Sequence, residues 1–125
     1  FAASATRNRP RHRRAAMTDQ ELLDLSAKAA GYKYAKNGGY IVVDGIPGNW
    51  NPLSDDGDAL RLAVKLHIGV RTHGPDHWLQ KNVAVALWDA GEQSGRVTIQ
   101  VDSDFLRATR RAIVRAAAEI GKNRK

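Results

Sequence analysis

The chain contains no cysteine among its 125 residues and only one methionine. Without cysteine it can form no disulfide bond, thiolate nucleophile or cysteine-ligated zinc site. No apolar run approaches the roughly 20 residues that a membrane-spanning helix needs. We therefore predict a single domain that spans no membrane and lies in the reducing cytoplasm.

Sequence motifs of catalysis are missing as well. The chain has no G-x-S-x-G nucleophile turn, no phosphate-binding P-loop and no G-x-G-x-x-G after a predicted strand. Its densest acidic run, at Asp55, Asp56 and Asp58, lacks the spacing of a calcium loop and is typical of a helix start. We expect a protein that is not an enzyme and uses no cofactor.

One group of side chains has the composition of a transition-metal site: His73, Asp76 and His77. The two histidines are spaced i, i+4, but Gly74 and Pro75 between them interrupt any continuous helix, so the spacing brings no two imidazoles to one face. We expect no metal there, and we expect His67, on the apolar side of a predicted helix, to be partly buried.

The net charge of +7 is concentrated at the two ends of the chain. Residues 1–16 carry five arginines and no acid, and residues 105–125 carry seven basic residues and one acid. Residues 17–104 carry eight basic residues against twelve acidic ones. The body of the domain is therefore predicted to be mildly acidic.

Residues 1–16, FAASATRNRPRHRRAA, show no periodicity. The sole methionine, Met17, is followed by Thr18 and Glu21 in the spacing of a capping box, which predicts a helix start. We interpret residues 1–16 as a disordered basic extension outside the native protein and residues 17–125 as one α+β domain. A natural basic arm and an organellar transit peptide are the alternative interpretations.

The predicted fold is centred on residues 50–68, WNPLSDDGDALRLAVKLHI, which read as a turn followed by an amphipathic helix. Pro52 prevents a helix from running through from the left, and Ser54 is a good N-cap. We expect Trp50 to fold back over the start of the helix as an aromatic anchor. Within that helix we expect Leu60 in the core and a narrow solvent face made of Asp58, Arg61 and Lys65.

Two hairpins complete the pattern. Residues 32–36 and 40–43 flank an Asn-Gly-Gly turn, and residues 83–88 and 96–101 flank a second turn. A last helix is predicted at about residues 104–120, closed by Gly121. The order αββαββα predicts a three-layer α/β/α-type sandwich, with one antiparallel four-stranded sheet in the middle and helices over both of its faces.

The run WNPLSDDGDALRLAVKL, after DGIPG and a first helix that begins MTDQELLDLSAKAAGY, resembles the phage alpha-beta-alpha sandwich domain family. Members are small proteins encoded by tailed phages and prophages. The resemblance implies the sandwich fold and a phage or prophage origin, and it brings no catalytic residues. Residues 69–82 show no similarity to the family pattern.

The last helix carries the clearest functional signal. Arg107, Arg111 and Arg115 repeat every four residues, and Arg110 stands beside them. Such a stripe is typical of phosphate-backbone binding, but it is more often simply the solvated face of an amphipathic helix. We expect an accessory protein that binds a host or phage macromolecule, a protein rather than a nucleic acid. Nucleic-acid binding through these arginines is the alternative, and the oligomeric state stays open.

Overall fold

The computed structural model describes residues 17–74, 82–90, 93–101 and 103–124. Within them lie the helices α1 (Asp19–Ala30), α2 (Asp56–Leu66) and α3 (Phe105–Lys122). The strands are β1 (Tyr34–Asn37), β2 (Tyr40–Val43), β3 (Gly69–His73), β4 (Val83–Ala90) and β5 (Gln93–Gln100). The α+β class and both predicted hairpins are confirmed. Residues 1–16 fall outside the described part of the chain.

The single four-stranded sheet predicted from the sequence is wrong. Strands β1 and β2 form one antiparallel pair, and β3, β4 and β5 form a separate antiparallel sheet with β4 in the centre. The free edge of β2 is occupied by the chain itself, since Asn49 bridges to Val42 and the Trp50 N–H donates to the Ile41 carbonyl at 2.8 Å. That edge is therefore closed to a strand of the other sheet.

Strand β3 is the element that the sequence did not predict. It pairs with β4 from Gly69 opposite Leu87 to His73 opposite Val83. It is an edge strand whose side chains are mostly exposed. Backbone pairing with β4, rather than burial of apolar side chains, therefore holds it in place. A sequence pattern cannot reveal a strand of this kind.

Helix α3, and not a sheet, lies in the middle of the domain. It packs on β3, β4 and β5 and also against α1 and α2. From Ala112 onward its small residues are buried on almost every side. The predicted central sheet with helices over both faces is therefore wrong. Among the described elements, only α3 packs extensively on the three-stranded sheet.

Helices α1 and α3 approach closely at Gly121. A Cβ atom at this position would overlap the Leu25 carbonyl oxygen, so only glycine fits without a shift of the backbone. Gly121 does not close the helix as predicted, because α3 continues to Lys122 and is capped by Asn123. The glycine serves the contact between the helices, which the sequence does not distinguish from a helix stop.

Helix α1 follows its sequence signals closely. The Thr18 hydroxyl accepts from the Glu21 N–H at 3.1 Å, and the Glu21 carboxylate accepts from the Thr18 N–H at 2.8 Å. Gly31, with φ of 73°, ends the helix in the left-handed conformation. Both the capping box and the terminal glycine are confirmed.

Helix α2 is rotated about its axis relative to the prediction. Its N-cap is Asp55 and not Ser54, and Asp58 is only 4% exposed although it was assigned to the solvent face. The Asp58 carboxylate accepts from the Asn51 N–H at 2.9 Å and from the Arg61 guanidinium at 2.6 Å. Because these bonds hold Asp58 inward, Leu60 points outward and Leu62 takes the core position.

Trp50 is a buried aromatic residue of the core, and its predicted position over the start of α2 stays a prediction. It is the largest of the fully buried side chains and meets the Tyr32 ring edge-on, with ring centroids 5.7 Å apart. The indole N–H has no hydrogen-bond partner among the described residues. Packing and the backbone bond to Ile41, rather than an indole hydrogen bond, therefore hold this residue in place.

Replacing Gly121 with alanine should destabilise the domain by about 1–3 kcal/mol or more, because the methyl group meets rigid backbone. Helix propensity alone predicts the opposite sign, a gain of up to about 1 kcal/mol. Gly57→Ala in α2 is the control, since its Cβ would meet only side-chain atoms, the nearest at 3.2 Å. Chemical denaturation measures both, and equal effects of the two changes would refute the close helix contact.

Asp58→Ala should lower the free energy of unfolding by about 2–4 kcal/mol, because it leaves the Asn51 N–H without its acceptor and removes a buried charged hydrogen bond. Asp56→Ala removes an exposed carboxylate from the same helical turn and should cost under about 1 kcal/mol. Urea titration of both variants is the measurement. A loss at Asp58 no larger than at Asp56 would show that the buried carboxylate does not fix α2.

Candidate functional site

The four candidate arginines of α3 fall into two groups in the structure. Arg107 and Arg115 are exposed, and neither forms a salt bridge with another described residue. Arg110 and Arg111 are partly buried and form ion pairs within the chain. The sequence predicted that all four arginines form one binding group. In the structure only Arg107 and Arg115 are without a salt bridge to a described residue.

Arg110 joins α3 to the start of α2. Its Nε donates to the Leu53 carbonyl at 2.9 Å, and its Nη1 donates to the Asp56 carboxylate at 2.7 Å. The side chain is only 17% exposed. Arg110 therefore stabilises the packing of the two helices and offers little surface to a partner.

Arg111 makes a weaker contact with α1. Its Nη2 lies 3.0 Å from the Asp19 carboxylate; the Arg111 side chain is partly buried and the Asp19 side chain is exposed. Ion pairs near the surface stabilise a protein by only about 0–1 kcal/mol. A competing anion could therefore displace Asp19 from the Arg111 guanidinium.

Arg107 and Arg111 also line one cavity of about 260 Å³ beside the start of α3. Gln100 and Ser103 add polar groups to its wall. Asp104, the N-cap of α3, lines it too and accepts from the Arg107 N–H at 3.0 Å. Two arginine residues and one carboxylate therefore line a cavity large enough for one small anionic group such as a phosphate.

The outward side of α2 is apolar where a polar surface was expected. Leu60 is 63% exposed and Val64 is 66% exposed, one helical turn apart. We call Leu60 and Val64, with the flanking Arg61 and Lys65, the outer face of α2. The prediction of Leu60 as a core residue is wrong for the reason given above, the inward position of Asp58.

Both cations of the outer face, Arg61 and Lys65, contact other residues of the domain. The Arg61 guanidinium is paired with Asp58, and the Lys65 ammonium lies 5.5 Å from the centre of the Tyr32 ring. Burial raises the pKa of Tyr32, the Arg61 charge opposes that rise, and the Asp58 charge adds to it. Tyr32 therefore stays protonated at neutral pH and acts as a packing residue. The aliphatic pair remains uncovered between the two cations.

A second and larger cavity, of about 600 Å³, opens at the end of the sheet where β4 and β5 approach their turn. Its lining includes the polar residues His67, Asp89 and Arg96 together with Leu87 and Trp88. His67 was predicted to be partly buried and is exposed. No sequence pattern indicated this cavity, because its residues come together only through the pairing of β3, β4 and β5.

The metal candidates receive no support where the structure describes them. His73 ends β3 and is half-buried, whereas Asp76 and His77 lie outside the described residues. Among the residues that are described, no three His, Cys, Asp or Glu side chains gather into a cluster that could hold a metal ion. In the same part of the chain, no helix combines the length and apolarity that a membrane crossing requires.

Comparisons with protein-family models, with curated proteins and with solved structures give no match to this chain. The resemblance to the phage alpha-beta-alpha sandwich domain family therefore stays a prediction that rests on residues 17–121 alone.

Proposed function

We propose that this chain is a non-enzymatic accessory protein that acts by binding a protein partner through the outer face of α2. The observation that carries the proposal is the exposure of Leu60 and Val64 at the centre of that face. Burying a leucine or valine side chain is favourable by about 1.5–3 kcal/mol. The domain does not bury these two side chains, so a partner that covers them would gain this free energy.

The spacing of the pair indicates how the partner binds. Apolar anchors at i and i+4 of a helix suit a partner that offers a hydrophobic groove, into which the helix lays one face. Arg61 and Lys65 border the pair, so acidic residues along the rim of that groove would complement it. An apolar groove with an acidic rim is thus the partner surface that we expect.

The biological setting of the proposal comes from the family resemblance. A small phage or prophage protein of this kind would act in the cytoplasm of the bacterial host, on a host or phage macromolecule. Inhibition of a host defence system is one form of that activity. The acid-rich body of the domain is compatible with a protein partner and repels a phosphate backbone over most of its surface.

The double change Leu60→Ser and Val64→Ser should abolish partner capture while leaving the fold intact, because both side chains are exposed. The measurement is affinity capture from bacterial lysate with the full chain, followed by titration of the captured protein. Leu106→Ser is the matched control, since Leu106 is an equally exposed leucine on α3. A partner retained equally by the double variant would place the binding surface elsewhere.

Nucleic-acid binding is the second candidate function, and a specific observation favours it. Arg107 and Arg115 form no salt bridge with a described residue, and Arg107 shares its cavity with Arg111. A phosphate entering that cavity would meet two guanidinium groups. Phosphate contacts of this kind would bind duplexes without regard to sequence.

Salt titration of duplex binding separates the two candidates. If the arginine face binds, Arg107→Gln and Arg115→Gln together should lower the log–log salt slope by about 0.9 for each lost contact. Arg71→Gln, an exposed arginine of β3, is the control. If the partner is a protein, duplex binding should be weak and should mostly disappear when the five arginines of residues 1–16 are replaced by glutamine.

A further inference from the structure

Strand β5 lies at one edge of the three-stranded sheet, and its outer side is open. Within the described part of the chain β5 pairs only with β4, in an unbroken register from Gln93 opposite Ala90 to Gln100 opposite Val83. It has no proline, lysine or bulge, the features with which proteins often protect an edge. The edge of β2, in contrast, is closed by the chain itself. Strand β5 therefore offers an edge to which a further strand can add.

Antiparallel pairing fixes which backbone groups of β5 point to this open edge. The Val101 N–H donates to the Asn82 carbonyl at 2.8 Å, so the backbone groups of Val101 point to the β4 side. Their direction alternates from residue to residue, so the N–H and C=O groups of Thr98 and Gln100 point the other way. These outward groups form no hydrogen bond with a described residue, and both residues are exposed. Two donors and two acceptors are thus left for an added strand.

A cavity with a net positive charge lies beside this edge, on the side of the sheet that α3 covers. Its volume is about 260 Å³, and its lining joins Ile99 and Gln100 of β5 to Arg107 and Arg111 of α3. Arg107 forms no salt bridge with a described residue, and Arg111 has only a surface pair with α1. Asp104 also lines the cavity, but its carboxylate already accepts from the Arg107 N–H at 3.0 Å. An acidic side chain beside Ile99 would therefore be attracted.

An added strand would place its side chains alternately on the two faces of the sheet. The residues opposite Thr98 and Gln100 would exchange hydrogen bonds with them and project their side chains away from α3. The residue opposite Ile99 would project its side chain to the α3 face, beside the cavity. An acidic residue at this position of the added strand would complement the two arginines.

We propose that β5 accepts an extended acidic segment of another protein as a fourth strand of the sheet, on a surface separate from the outer face of α2. Main-chain hydrogen bonds to Thr98 and Gln100 give the affinity, and acidic side chains near Arg107 and Arg111 give the selectivity. A second copy of this chain complements the surface less well. Its β5 contains no acidic residue, and pairing two β5 strands would bring the arginines of two α3 helices towards each other.

The probe is a nine-residue peptide with blocked ends that alternates valine and glutamate. It is titrated into the full chain, and backbone amides are followed by nuclear magnetic resonance. We expect saturable binding, with the Thr98 and Gln100 amides protected from hydrogen exchange and the amides of β3, on the opposite edge, unchanged. A peptide with lysine in place of glutamate should not bind under the same conditions. The proposal is overturned if the glutamate peptide does not bind or if both peptides bind alike.

Two N-methylated forms of the peptide test the register. The valines stand opposite Thr98 and Gln100, so their N–H groups point to β5, whereas the glutamate N–H groups point away from it. N-methylation of the valines should therefore abolish binding, and N-methylation of the glutamates should be tolerated. Equal effects, or the reverse order, would contradict the proposed strand addition.

Variants of the chain test the charge. Arg107→Gln combined with Arg111→Gln should weaken peptide binding by about tenfold, the scale of one charged hydrogen bond. Arg71→Gln, an exposed arginine of the opposite edge strand β3, is the matched control and should bind the peptide as the unchanged protein does. Equal binding by the double variant and the control would show that the arginines do not select the partner.

Two further measurements address other occupants of this edge. A twelve-base-pair duplex that binds more tightly than the peptide at the same salt concentration, and displaces it, would assign the arginines to a phosphate backbone. Protection of the Thr98 amide without peptide, rising with protein concentration, would identify a second copy of the chain as the occupant. Either result overturns the proposal.

Discussion

The buried carboxylate of Asp58 joins the loop before α2 to the helix itself, by accepting from the Asn51 N–H and the Arg61 guanidinium. A carboxylate placed this deep must keep its partners, because an unpaired buried charge is strongly destabilising. The helix therefore cannot rotate to bury Leu60 and Val64 without breaking the hydrogen bond between Asp58 and the loop. The exposed aliphatic pair is thus a consequence of one polar contact, and the proposed partner surface depends on it.

Local signals in the sequence predicted local structure well. The capping box at Thr18 and Glu21, the left-handed Gly31 and both hairpin turns carry their information within a few residues. The phase of α2 could not be predicted in this way. A residue-by-residue hydrophobic pattern assigns an aspartate to solvent, whereas Asp58 is held inward by an amide seven residues away.

Longer-range arrangements were beyond the sequence for related reasons. The free edge of β2 is closed by the backbone of Asn49 and Trp50, which no side-chain pattern records. The arginine stripe looked uniform, yet Arg110 and Arg111 have acidic partners far away along the chain. The larger cavity, whose lining includes Trp88, is formed by three separate segments of the chain. In each case the missing information is which distant residue comes into contact.

The central position of α3 has a consequence for synthesis of the protein. Helix α1 and the three-stranded sheet both pack mainly on α3, although α1 emerges from the ribosome long before it. Until α3 has emerged, α1 and α2 have no extensive apolar surface to bury against, and the sheet has no helix over its alanine-rich face. Consolidation of the domain in one late step is therefore the expected course of folding.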